Sequence, residues 1–165
     1  MNSDIYQLSA QIGEVLGAQG AIVTFAESCT GGGVAHAITA VPGSSAWFGS
    51  GFVTYANSAK HRMLGVSAEL LNSEGAVSEP VVIQMARGAI AAAGADFGAA
   101  ISGIAGPGGG SADKPVGTVW LCWTGPWGDL TQKHCFSGDR DAVREQAITI
   151  CLKQLLHQVT GYYTV

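Results

Sequence analysis

The sequence predicts an α/β domain in which helices cover a mixed sheet. Three observations lead there. In the first two-thirds of the chain, apolar residues at helical spacing alternate with short β-rich runs. Later, two β-rich runs flank Gly125-Pro126-Trp127-Gly128, the pattern of an antiparallel hairpin, which makes the sheet mixed. Residues 1–165 show no internal repeat, linker or break in composition, so they are read as one domain.

Each element has its own signal. Ile5, Leu8, Ile12, Val15 and Leu16 recur in steps of three and four, placing one apolar stripe on a helix over 4–18 that Gly20 ends. Residues 21–25 form a buried strand. Small residues over 27–33 then turn the chain into a helix over 34–41, closed by Pro42-Gly43-Ser44. Residues 52–55 read as a second strand and 57–64 as a short helix. Ser78-Glu79-Pro80 starts an alanine-rich helix to about Ala93, with Ser78 as its N-cap. A third strand over 97–102 runs into the glycine loop 103–110. Residues 116–123 and 130–136 are the hairpin strands. Gly138-Asp139-Arg140 opens a last helix with Val143, Ala147, Ile150, Cys151 and Leu155 at helical spacing.

Composition narrows the function classes. Charged residues are 12 % of the chain, about half the usual share, and 8 basic against 12 acidic residues give a net charge of −4. No basic stripe is available for a nucleic acid. The four cysteines, Cys29, Cys122, Cys135 and Cys151, form no C-x-x-C pair and read as reduced thiols. No secretory leader or bilayer-spanning run is visible, so a cytoplasmic protein off the membrane is expected. No His, Cys and carboxylate cluster has metal-ligand spacing, and neither metal nor cofactor is expected.

The turn 27–33 is the strongest candidate site. A strand that feeds a helix through small residues leaves backbone N–H groups free for an anion or an oxyanion. Ser28 is either a nucleophile there or, as serines in such turns more often are, a cap, and Thr30 shares that second role. Cys29 is a rival nucleophile, but His36, His61, His134 and His157 sit in no recognisable partnership with it. Serine needs a base. Lys60 qualifies only if burial or a nearby cation lowers its pKa; otherwise it is a solvated helix lysine. Ser111-Ala112-Asp113-Lys114 fits S-x-x-K, but Pro115 and the glycines before it disfavour the helix that pattern requires. The glycine loop allows close approach of a ligand. Arg140 and Arg144 share one helix face, suited to a phosphate or to pairing with Asp141 and Glu145.

Several stretches together resemble the CinA C-terminal domain family. They are Ala26-Glu27-Ser28-Cys29-Thr30-Gly31-Gly32, Gly51-Phe52-Val53-Thr54-Tyr55 with Asn57 and Lys60, Gly75-Ala76-Val77-Ser78, Ser102-Gly103-Ile104-Ala105-Gly106-Pro107, Lys114-Pro115-Val116-Gly117-Thr118-Val119, and Gly138-Asp139-Arg140. Within that family the chain looks most like the nicotinamide-nucleotide amidohydrolases. The resemblance implies one such domain over 1–165, a three-layer α/β/α sandwich and a homodimer. It implies hydrolysis of the carboxamide of nicotinamide mononucleotide, a small nucleotide substrate, to nicotinate mononucleotide and ammonia in pyridine-nucleotide salvage. Ser28 would be the nucleophile and Lys60 the base, with Tyr55 assisting. Thr30, Gly31, Asn57, Ser102, Gly103, Gly106, Arg140 and Arg144 would contact the substrate. The N–H groups of Thr30 and Gly31 would stabilise the oxyanion, and the glycine loop with Arg140 or Arg144 would take the 5′-phosphate. The competing reading is a nucleotide-binding regulatory module without turnover.

Overall fold

The computed structural model describes residues 1–164. The elements run α1 (Ser3–Gln19), β1 (Val23–Glu27), α2 (Gly33–Thr39), a single 3-10 turn at Ser44–Ala46, β2 (Phe52–Val53), α3 (Asn57–Leu64), α4 (Ala68–Glu74), α5 (Glu79–Ala93), β3 (Phe97–Gly103), β4 (Thr118–Gly125), β5 (Gly128–Cys135) and α6 (Arg140–Tyr163). The sheet order is β2-β1-β3-β4-β5. β1 pairs in parallel with β2 and β3, while β3, β4 and β5 are antiparallel. The expected mixed sheet and three layers are present.

Alternation along the strands builds two different interfaces. Phe25, Ala99, Ile101, Leu121 and Trp123 face α1, α2 and α6 in the larger core. Their neighbours Ala26, Ala100 and Cys122 face α5 with Leu64, Val66 and Leu71. Small side chains on this second face let α5 lie close. A Cβ on Gly88 of α5 would strike the carbonyl of Leu64, and one on Gly98 would lie 2.7 Å from Ile90. Trp47 and Trp123 belong to the larger core.

The same alternation continues past β1. Glu27 follows Phe25 toward α2, so the next residue, Ser28, is sent to the α3 face. Ser102 follows Ala100 toward that face on β3. The chain leaves β1 through α2 on one side and reaches β3 through α3–α5 on the other. The carboxyl ends of β1 and β3 therefore form the kind of crevice where open α/β sheets bind ligands.

Several boundaries differ from expectation. β2 stops at Val53, although the Thr54 N–H still donates to the Glu27 carbonyl at 2.9 Å. β1 begins at Val23, because the Ile22 N–H is held by Asp96. α4 was not expected from the sequence; Ser67 caps it by accepting from the Leu70 N–H at 3.2 Å. Ser78 stands at the N-cap of α5, but its hydroxyl donates to the Gly75 carbonyl instead of capping. The hairpin strands reach Gly125 and Gly128, leaving Pro126-Trp127 as the turn. α6 continues to Tyr163 and is capped by the Asp139 carboxylate, which accepts from the Ala142 N–H at 2.9 Å.

Candidate active site

Ser28 is the first residue beyond β1. Its N–H donates to the Ile101 carbonyl at 3.0 Å, which anchors it against β3. Lys60 lies one turn into α3 and is 1 % exposed. Its Nζ stands 3.0 Å from Ser28 Oγ, 2.7 Å from the Thr54 carbonyl and 3.1 Å from the Tyr55 carbonyl. So it is no solvated helix lysine.

These three partners have a chemical consequence. Carbonyl oxygens only accept. A neutral amine has two N–H bonds and one lone pair. With both N–H bonds directed to Thr54 and Tyr55, the lone pair is left for the Ser28 hydroxyl. Burial also lowers the Lys60 pKa from 10.5 to about 8, so the neutral form is accessible near neutrality. Burial acts oppositely on the rival nucleophile. It raises Cys29 to about 11, and that thiol stays protonated.

The turn beyond Ser28 is held by a residue that sequence reasoning gave no role. The Glu27 carboxylate, 1 % exposed, accepts from Thr30 Oγ1 at 2.6 Å and from the N–H groups of Val34 at 2.9 Å and Ala35 at 3.0 Å. The anion expected at the start of α2 is thus supplied by the protein itself. Neither Ser28 nor Thr30 caps α2; its N-cap is Gly32, with φ 94°. The available signal was a carboxylate ending an otherwise uncharged, fully buried strand, where only convergent donors make burial tolerable.

The expected oxyanion donors need one correction. The Gly31 N–H donates to the Ser28 carbonyl at 3.0 Å and is engaged. Among the described residues, the N–H groups of Cys29, Thr30 and Gly32 donate to no backbone carbonyl.

The remaining candidates sort into three groups. Tyr55 meets Lys60 through its carbonyl rather than its phenol. The residue is 61 % exposed, and its hydroxyl accepts from Arg140 Nη2 at 3.1 Å. Arg140 Nη1 also donates to the Gly106 carbonyl at 2.8 Å, so α6, the glycine loop and the segment after β2 meet at one guanidinium. Arg144 reaches the turn that carries Ser28, donating to the carbonyls of Cys29 at 3.2 Å and Thr30 at 3.4 Å. Ser102 is buried beside the Ser28 turn, while Asn57 is exposed at the start of α3.

The glycine loop is less open than its composition suggests. A Cβ on Gly103 would lie 2.6 Å from Val119 Cγ2 and 2.9 Å from the Thr118 carbonyl. A Cβ on Gly106 would strike Val116. Gly103 is required by the start of β4, and Gly106 by the segment that leads into it.

Residues 5–159 match the CinA C-terminal domain. The chain belongs to the CinA C-terminal domain family. It is 58 % identical to the nicotinamide-nucleotide amidohydrolase PncC of Escherichia coli strain K12, over 95 % of this chain and 96 % of that protein. It is 55 % identical to the PncC protein of Pseudomonas putida, over 92 % of this chain and 95 % of that one. The crystal structure of the competence/damage inducible protein CihA from Agrobacterium tumefaciens superposes with a TM-score of 0.93 at 43 % identity, covering 95 % of this chain and 96 % of that one. The CinA match spans every candidate from Glu27 to Arg144.

Among the described residues, no three His, Cys, Asp or Glu side chains converge as a metal site. None of their helices is long and apolar enough to cross a membrane.

Proposed function

We propose that this protein hydrolyses the carboxamide of nicotinamide mononucleotide to nicotinate mononucleotide and ammonia, by a serine–lysine mechanism that serves pyridine-nucleotide salvage. The substrate rests on the similarity to nicotinamide-nucleotide amidohydrolases. The mechanism rests on one observation, the 3.0 Å contact of Ser28 Oγ with a buried Lys60 whose other partners are carbonyls.

Neutral Lys60 takes the Ser28 proton as Oγ attacks the carboxamide carbon. The carbonyl oxygen becomes an oxyanion, stabilised by the free N–H groups of Cys29 and Thr30. Lys60 returns the proton to the departing nitrogen, the C–N bond breaks, and ammonia leaves a nicotinoyl ester on Ser28. Water then attacks the ester while Lys60 accepts its proton. Collapse of the second oxyanion breaks the ester, Lys60 reprotonates Ser28, and the carboxylic acid leaves.

The pyridinium charge of the substrate disfavours a second cation nearby and so helps hold Lys60 neutral. Arg140, oriented by Gly106 and Tyr55, supplies charge for the 5′-phosphate. Asn57, Ser102, Gly103 and Gly106 complete the substrate surface in this reading. We expect the enzyme to act as a cytoplasmic homodimer, the dimer being checked by sedimentation equilibrium. A module that only binds nucleotide is the weaker reading, because a lysine buried against a serine serves nucleophilic chemistry and adds nothing to nucleotide binding.

The test is incubation of chelator-treated protein with nicotinamide mononucleotide, following ammonia and nicotinate mononucleotide together. Equimolar release is expected, falling by about 10⁴-fold or more in Ser28→Ala with unchanged circular dichroism. Full activity in S28A would remove the nucleophile. Tight binding by the wild type without ammonia release would overturn the function.

A further inference from the structure

We propose that Arg144 is a positioning residue for the oxyanion-stabilising turn, acting through the Cys29–Thr30 peptide rather than by gripping the substrate. The proposal rests on the serine–lysine reading given above.

Two donors of the guanidinium are already committed to the protein. Nε donates to the Cys29 carbonyl at 3.2 Å and Nη2 to the Thr30 carbonyl at 3.4 Å. Nη1 faces the Asp141 carboxylate at 3.8 Å. The two hydrogen-bonded partners are consecutive peptide carbonyls of the Ser28 turn, and a phosphate that drew Nε or Nη2 away would have to compete with them. Arg140, by contrast, is exposed and touches only the edge of the site.

Peptide geometry carries the effect to the reaction centre. The only cis peptide among the described residues is Gly106–Pro107, so the Cys29–Thr30 unit is trans. In a trans unit, C=O and N–H point to opposite sides of a rigid plane. A guanidinium holding the Cys29 carbonyl therefore fixes the Thr30 N–H on the side away from α6. That N–H donates to no backbone carbonyl. The next peptide is held at both ends, its Thr30 carbonyl by Arg144 and its Gly31 N–H by the Ser28 carbonyl. It cannot rotate to take over the task.

The charge also matters. A cation on a peptide oxygen polarises the unit and strengthens donation from its N–H. The approach depends on Gly31, where a Cβ would lie 3.4 Å from Arg144 Nη2 and where φ is +59°. Thr30 is fixed from the opposite side by Glu27. The turn is thus set between a carboxylate on the Thr30 hydroxyl and a guanidinium on its carbonyls.

Two rates test this, in wild type and Arg144→Met. The first is steady-state hydrolysis of nicotinamide mononucleotide, resolved into kcat and KM. The second is phosphonylation of Ser28 by a small fluorophosphonate, read by mass spectrometry. The fluorophosphonate carries no nucleotide, so only the serine, its base and the oxyanion donors act on it. In R144M, kcat and the phosphonylation rate should fall together by about 10- to 100-fold, less than outright loss of a donor. KM should stay within about twofold of wild type. Arg144→Lys keeps the charge but not the two-pronged donor; it should fall between the two, and it serves as the readout if R144M does not fold.

A raised KM with unchanged kcat and unchanged phosphonylation would overturn the proposal and make Arg144 a substrate ligand. So would a wild-type Ser28 inert to the fluorophosphonate. Wild type that releases no ammonia, with phosphonylation still slowed in R144M, would sink the nucleotide substrate and leave the role of Arg144 standing.

Discussion

The loops that leave β1 and β3 are both rich in glycine and emerge side by side at one end of the sheet, yet they use glycine differently. In the loop after β1, Gly31 and Gly32 adopt positive φ of 59° and 94°. They bend the chain so that peptide N–H groups remain free and Arg144 can reach the carbonyls. In the loop after β3, Gly103 and Gly106 give way to Val119 and Val116, and the Gly117 N–H returns to the Ile104 carbonyl at 2.8 Å. The first loop leaves N–H donors free beside Ser28, while in the second the space a Cβ would take is filled by the protein, which leaves only backbone to meet a ligand. Glycine density marks close approach but does not say what approaches.

The largest effect is expected at Lys60, which faces the first of these loops from α3. Lys60→Met should reduce kcat by about 10³-fold or more, because Ser28 then has no acceptor for its proton. Wild-type kcat/KM should rise with pH and level off above about 8 as Lys60 becomes neutral, with that limb lost in K60M. Stability carries the same signature with a defined sign. The folded Lys60 pKa of about 8 lies below its ordinary 10.5, so between these values the unfolded chain binds more protons. Folding stability then rises with pH across that window. Urea unfolding should find wild type gaining on K60M by about 3 kcal/mol from pH 8 to 10.5. A constant difference would show that Lys60 is not desolvated.

A pair of glycine variants addresses the loops directly. Gly103→Ala forces a Cβ against Val119 and the Thr118 carbonyl. It should lose about 1–3 kcal/mol of stability in urea while the folded protein keeps its kcat. Gly31→Ala places a side chain at φ +59° beside Arg144. It should lose only about 1–2 kcal/mol of stability but reduce kcat at least tenfold, by roughly the factor one disturbed oxyanion donor costs. If G103A loses kcat in the same proportion, the loop after β3 contributes to the chemistry and the contrast fails.

The smallest effect is expected at Cys29. Its buried thiol stays protonated, and only its backbone serves the turn. Cys29→Ala should keep kcat within about threefold, and a pH–rate profile matching wild type would exclude thiolate participation.

How far the site could be read from sequence depends on the range of the signal. α1, α5 and α6 were legible because stripes and caps are local. β2 was overestimated because 52–55 has β-rich composition throughout, while the backbone past Val53 turns away to present two carbonyls to Lys60. α4 was missed because seven residues offer too little periodicity. Ser28, Lys60 and Arg144 were nameable as candidates by residue type and family resemblance. Glu27 received no role because its partners belong to the next helix. The resemblance implied a substrate contact for Arg144, while its bonds to the Thr30 and Cys29 carbonyls, 114 and 115 positions away, follow from no spacing rule.

By itself, the sequence determined the longer elements and their buried faces, since each depends on side chains a few residues apart. Alternation alone sends Glu27 to one side of β1 and Ser28 to the other. Only the tertiary structure decided which groups meet there. The order β2-β1-β3 sets the Thr54 and Tyr55 carbonyls beside Ser28, so that Lys60 has one lone pair left for one hydroxyl. Periodicity encodes the face a residue buries. Strand order, helix docking and the direction of a peptide plane come from contacts that closing the whole core brings together.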